Sequence, residues 1–240
     1  GRLRAGAAVG VHEYDRQGVE TWSYRRIQYA LSARKLENGN VLIVNTNYNQ
    51  VVEVRPVGRN GGEIVLPTLE VRTPYDAVRL ENGNTLVAEQ RQSDRVAEYD
   101  PRLKEVVWQH PVESPMSVQR LDNGNTLITT HARIFEVDRR GQEQWKLESD
   151  ISPWRAQRLE NGNTLVTDFQ RGQVVEFDSK SRKVWEMTGL AHPVQALRLE
   201  DGNTLILEQE TNQLIEVDPS KSKRVVRVKG LNYPLGMSIY

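Results

Sequence analysis

The chain has 240 residues, with 32 Lys plus Arg against 32 Asp plus Glu and no cysteine. The balance leaves no net field for polyanions, which excludes general nucleic-acid binding, and the missing thiols exclude disulfides, zinc-thiolate sites and iron-sulfur clusters. Apolar runs stay as short as Val41 to Val44, far below the roughly 18 residues that span a bilayer, so a soluble chain with no membrane span is expected.

From the N-terminus, His12-Glu13-Tyr14-Asp15 and Glu20-Thr21-Trp22 read as two strands. A repeat then takes over. Glu37-Asn38-Gly39-Asn40 returns as Glu81-Asn82-Gly83-Asn84, Asp122-Asn123-Gly124-Asn125, Glu160-Asn161-Gly162-Asn163 and Glu200-Asp201-Gly202-Asn203, with glycines 44, 41, 38 and 40 residues apart. A period of about 41 marks a propeller or another repeat array.

Within one unit, Pro74 to Leu80 is a first strand, and Asn82-Gly83 suits a type I′ hairpin leading into Thr85 to Ala88. Arg95 to Tyr99 follows as a third strand, Asp100-Pro101 as a turn, and Glu105 to Trp108 as a fourth. No helical periodicity appears. The expected fold is all-β: one domain over residues 1–240, a six-bladed β-propeller with four antiparallel strands per blade. The blades are expected near 29–68, 73–110, 114–148, 152–188 and 192–228. A blade shared by 232–240 and 1–24 closes the ring and removes exposed edges.

Residue types present in every copy are expected to be structural. These include the third-strand Glu13, Glu53, Glu98, Glu136, Glu176 and Glu216, and the first-strand Arg79, Arg120, Arg158 and Arg198 that could pair with them. The fourth-strand Trp22, Trp108, Trp145 and Trp185 belong with them as fillers of the outer gaps. Function is expected where the copies differ, on the axial face where first strands begin and second strands end. Candidate ligand-binding residues there are Asp76, Glu89, Trp154, Arg155, Asp168, His192, Gln195 and Glu208, with His131, Tyr48, Tyr75, Phe169 and Tyr233 nearby.

The rings and polar groups suit a non-catalytic module holding a small molecule, a sugar or a protein or peptide. The alternative is a hydrolase or lactonase in which Glu89, Asp168 and Glu208, with Asn45, hold calcium or magnesium and activate a water. The favoured reading needs no cofactor. Of the histidines, His12 falls within a strand and His110 in a linker between blades, and both read as surface residues.

The unit running through Arg79-Leu80-Glu81-Asn82-Gly83-Asn84-Thr85-Leu86 resembles the repeats of arylsulfotransferase-like and PQQ-like propellers, and more loosely the NHL group. Arylsulfotransferase-like sequences carry a His-Asp-Ala triplet whose histidine accepts sulfate. Here the triplet is Tyr75-Asp76-Ala77, and the other copies have Leu31, Met116, Trp154, Val194 and Leu235 at that position, so sulfotransfer is disfavoured. Six-bladed lactonases of similar outline hold a central cation with Glu, Asp and Asn, which is the family form of the metal alternative. Propellers of this repeat type are often exported. With no Asn-x-Ser/Thr acceptor present, a monomer in a periplasmic or secreted setting is expected.

Overall fold

The computed structural model describes residues 3–7, 10–100, 102–220 and 223–239. Strands β1 (Leu3–Ala7), β2 (Gly10–Tyr14) and β3 (Glu20–Tyr24) come first. The first complete blade follows as β4 (Ala30–Lys35), β5 (Val41–Asn45), β6 (Gln50–Val57) and β7 (Gly61–Glu70), with one 3₁₀ turn at Thr46–Tyr48. The second is β8 (Pro74–Arg79), β9 (Thr85–Glu89), β10 (Arg95–Asp100) and β11 (Glu105–Pro111), and the third β12 (Pro115–Arg120), β13 (Thr126–Thr130), β14 (Ile134–Val137) and β15 (Glu143–Lys146). The fourth comprises β16 (Pro153–Arg158), β17 (Thr164–Asp168), β18 (Gln173–Phe177) and β19 (Lys183–Met187). The fifth comprises β20 (Pro193–Arg198), β21 (Thr204–Glu208), β22 (Gln213–Asp218) and β23 (Lys223–Val228), and β24 (Pro234–Ile239) ends the chain.

The expectation of six blades is corrected to five complete blades and a composite sheet. Each complete blade folds from one uninterrupted stretch and carries the hairpin between its first two strands. The remaining four-stranded sheet has the order β24-β1-β2-β3, is drawn from both ends of the chain and contains no such hairpin. Gly1, Arg2, Ala8, Val9 and Tyr240, assigned by sequence to the shared blade, lie outside the described residues, as does Pro101 of the expected turn.

A second correction concerns the hairpin. A type I′ turn needs positive φ at both central residues. Only the glycine has it: Gly83 stands at φ +85, and Asn82 is not among the positive-φ residues. Leu80 N–H donates to the Asn84 carbonyl and Gly83 N–H to that of Leu80, which makes a three-residue loop with a left-handed glycine. The Asn82 side chain accepts from Asn84 N–H at 3.0 Å, an Asx turn that occupies the first asparagine without left-handed backbone. His110, expected in a linker, lies in β11, stacked 6.4 Å from Trp108.

The core is a ring of clusters between adjacent sheets. Leu42, Val44, Leu69 and Val71 of the first blade pack on Ala77, Val87 and Ala97 of the second. The same arrangement joins the fourth and fifth blades through Leu165, Val174, Ile206 and Ile215. Strand alternation explains this, because a residue on one face of a sheet meets one neighbour and the next residue meets the other, so both faces must be apolar.

The repeated charges lock neighbours together. Arg198 Nη2 lies 2.7 Å from Glu176 of the preceding blade, Arg120 Nη2 2.8 Å from Glu98, and Arg79 Nη2 3.1 Å from Glu53. The second asparagine of each hairpin holds the same glutamate from within the blade, as Asn163 does Glu176 at 2.6 Å. The arginine then lies over the fourth-strand tryptophan of the preceding blade, with Arg158 4.4 Å from the Trp145 ring centroid. That tryptophan donates onward: Trp145 Nε1 reaches the Ser179 carbonyl at 3.0 Å and Trp108 Nε1 that of Arg139 at 2.9 Å.

Candidate functional site

Six equivalent first-strand positions, Ser32, Asp76, Ser117, Arg155, Gln195 and Gly236, line the axis, and a charged plug fills it. Asp76 is fully buried, with Arg34 Nη2 3.0 Å from its Oδ1 and Arg155 Nη1 3.6 Å away across the axis. Val118 N–H donates to Asp76 Oδ2 at 3.2 Å. Burial alone would raise the Asp76 pKa, but Arg34, Arg155, the Ser32 hydroxyl and Val118 N–H outweigh it and hold the carboxyl below its ordinary value. Arg155 Nη2 also donates to the Leu31 carbonyl at 2.9 Å, and Gln195 Oε1 accepts from Met237 N–H at 2.7 Å. Three candidate ligand residues, Asp76, Arg155 and Gln195, therefore sit inside the axis.

The second-strand carboxylates turn inward as well, each within its own blade. Glu89 accepts from Tyr99 Oη and faces Arg95 Nε at 3.3 Å. Burial and the Glu89 carboxylate push the Tyr99 hydroxyl well above its ordinary pKa. Asp168 takes the N–H of Arg171 at 3.0 Å and of Ser152 at 3.3 Å, and Glu208 takes the N–H of Ala191 at 3.0 Å and the Thr211 hydroxyl at 2.8 Å. Asp168 and Glu208 each fasten a nearby loop, whereas Glu89 binds side chains of β10. Among the described residues no three His, Asp or Glu side chains form a group that could hold a metal ion, so Glu89, Asp168 and Glu208 are not brought together as the metal alternative requires.

Trp154 and His192 are placed differently. Trp154 stacks 5.0 Å from Phe169, Phe169 stacks 4.6 Å from His192, and His131 meets Trp154 edge-on at 5.8 Å. His192 Nδ1 lies 3.4 Å from Glu210. The row crosses the third, fourth and fifth blades at the mouth of the plugged axis, with both histidines exposed and Trp154 and Phe169 half-buried. His192 adopts φ +52, as Tyr29 and Tyr233 do near +50 at the matching position of their sheets. Thr73 and Ser114 share it at φ +43 and +48, so this backbone belongs to the turn that enters a blade and does not mark the site.

Comparison of the blades isolates what is special here. The residue after the second strand latches onto the next blade in three cases: Thr46 Oγ1 to the Pro74 carbonyl at 2.6 Å, Gln90 Nε2 to Pro115 at 3.0 Å and Gln209 Nε2 to Pro234 at 3.3 Å. In the other two complete blades that position is His131 or Phe169, and a ring contact replaces the polar latch. The latch was missed from sequence, although aligning the units at that one position separates three polar donors from two rings. Arg34, the nearest cation to Asp76, was missed although it is the one arginine at its position among the units, because it lies two residues beyond the axial position that was compared.

Four-stranded antiparallel blades around a filled axis define a β-propeller repeat protein. Residues 3–147 match the PQQ_2 family, described as "Outer membrane protein assembly factor BamB", and the chain belongs to that family. Of the resemblances read in the repeat, the PQQ-like one is what this match supports. No curated protein matches the sequence. Among solved structures, a protein of unknown function from Bacteroides caccae is similar at 17% identity and TM-score 0.80, over 98% of this chain and 97% of that one. A chain of the nidogen/laminin complex is similar at 12% identity and TM-score 0.78, over 98% and 97%. Virginiamycin B lyase from Staphylococcus aureus is similar at 12% identity and TM-score 0.67, over 95% and 81%. At these identities the likeness is one of fold alone.

Proposed function

We propose that the chain is a recognition module that docks a partner on its axial face, at the row formed by His131, Trp154, Phe169 and His192. The carrying observation is the replacement of the polar latch by partly exposed rings at two adjacent junctions, the only break in the latch among the described complete blades. Rings that leave apolar surface in water supply the main driving force for docking. The plugged axis supports docking at the mouth, since Asp76 and Arg155 occupy the channel a threaded ligand would need. A family named for an assembly factor accords with a docking role.

Site-specific photo-crosslinking in the producing cell tests this. A crosslinker at exposed Gln170, beside the row, is expected to yield a discrete adduct, and one at exposed Glu81 or Glu160 on the opposite face none. Adducts from the opposite face alone, or none from Gln170, would sink the reading.

A further inference from the structure

We infer that Asn161, at the tip of the hairpin in the fourth blade, is the leading site of spontaneous deamidation among the Asn-Gly pairs of this chain. Four hairpin tips carry that pair, at Asn38, Asn82, Asn123 and Asn161, and all four asparagines are exposed. Glycine has no Cβ to block the approach of its own backbone nitrogen to the preceding side chain. The Gly162 nitrogen bonds to Asn161 Cγ, the Cγ–Nδ2 bond breaks, and ammonia leaves with the Gly162 proton. Water then opens the cyclic imide at one carbonyl or the other, which leaves aspartate or isoaspartate.

The backbone guards the four tips alike. The glycine N–H donates to the carbonyl three residues back, Gly83 to Leu80 and Gly162 to Leu159 both at 2.9 Å. Oδ1 of the first asparagine accepts from the N–H of the second, at 3.0 Å in Asn38 and Asn82 and 2.9 Å in Asn123 and Asn161. The amide nitrogen separates them. It donates to the third-strand glutamate at 3.1 Å in Asn38 and Asn123 and at 3.4 Å in Asn82. Asn161 makes no such bond among the described residues, and Glu176 is held by Asn163 at 2.6 Å and Arg198 at 2.7 Å instead. Its Cγ therefore has one tether to break before it turns onto the glycine nitrogen, where the others have two.

Local sequence cannot produce this difference, because residues 79–87 and 158–166 are the same nine residues. The fifth hairpin already holds Asp201 at the matching place, with Oδ1 2.9 Å from Asn203 N–H, so the aspartate product fits the turn. Isoaspartate adds a backbone methylene to the loop between β16, which carries Trp154 and Arg155, and β17.

The test incubates the intact chain at mildly alkaline pH, folded and in urea. Trypsin cuts after Lys35, Arg79, Arg120 and Arg158, so each tip falls on its own peptide. Fragment mass spectra locate the conversion of asparagine to the acid, and an isoaspartyl methyltransferase labels the isoaspartate. In the folded chain Asn161 is expected to react about fivefold faster than Asn38 and Asn123, as one lost hydrogen bond implies, with Asn82 between them. In urea Asn82 and Asn161 are expected to react at one rate. Equal rates in the folded chain, a faster site among the other three, or a lead of Asn161 over Asn82 that survives in urea overturns the inference.

Discussion

Arg155 and Asp76, from first strands two blades apart, meet across the propeller axis with Nη1 3.6 Å from Oδ1. Neither can turn to water, because Asp76 is fully buried and Arg155 nearly so. Breaking a buried pair by neutralising one partner leaves an uncompensated charge, at about 3–5 kcal/mol. Asp76→Asn is therefore expected to lose stability of that order in urea unfolding. The folded pKa of Asp76 lies below its ordinary 3.8, so its contribution is present above that pH and is lost as pH falls toward the folded value. The variant is accordingly expected to show a flatter acid limb below pH 3.8.

The repeated Glu-Arg lock is not equally redundant in every blade. Glu98 is held by Arg120 and Arg139 together, whereas among the described residues Arg198 is the one cation paired with Glu176. Arg198→Ala should cost about 3 kcal/mol and Arg120→Ala about 1–2, in side-by-side denaturant titrations. Equal losses would show that the second cation contributes nothing.

Two glycines separate backbone strain from steric exclusion. A Cβ on Gly83 would meet nothing within 4 Å, so Gly83→Ala pays only for φ +85, about 1 kcal/mol. A Cβ on Gly236 would stand 2.6 Å from the Leu31 carbonyl that Arg155 uses, and Gly236→Ala should cost about 3 kcal/mol or more. Thermal melts of the two variants check the order.

Burial and the nearby Glu20 carboxylate push the Tyr14 hydroxyl up to about 12, and Tyr99 is raised as well. Ultraviolet titration should therefore show a late-ionising class, reduced by Tyr14→Phe and by Tyr99→Phe. Because folding favours the neutral phenol, this contribution is complete below about pH 10 and is lost as pH rises through the folded value.

Phe169→Gln restores the residue type that latches Gln90 and Gln209 to the next blade. The melting temperature is expected to stay within a few degrees of the parent, while the Gln170 crosslink disappears. A retained adduct would place the contact off the ring row.

Much of this was legible in the chain. Hairpin loops, strand alternation and the Glu, Arg and Trp of each unit are local or nearest-neighbour features. Turn chemistry and burial on both faces act over a few residues, and repetition displays them five times. Even there the turn type was misread, because an Asn-Gly pair is compatible with more than one hairpin and the second asparagine's bond to the third-strand Glu favoured the longer loop. The candidate site divided along the same line. Asp76, Arg155, Gln195, Glu89, Asp168 and Glu208 stood out as unrepeated polar residues, yet only closure of the ring decides that the first three meet at the axis, and only the folding of each blade that Asp168 and Glu208 fasten loops while Glu89 binds Tyr99 and Arg95. The row of His131, Trp154, Phe169 and His192 likewise exists only once three blades stand side by side. Composition and periodicity determined the blade, whereas contacts between residues as far apart as Leu31 and Arg155 depend on the angle at which blades pack, which no local pattern encodes.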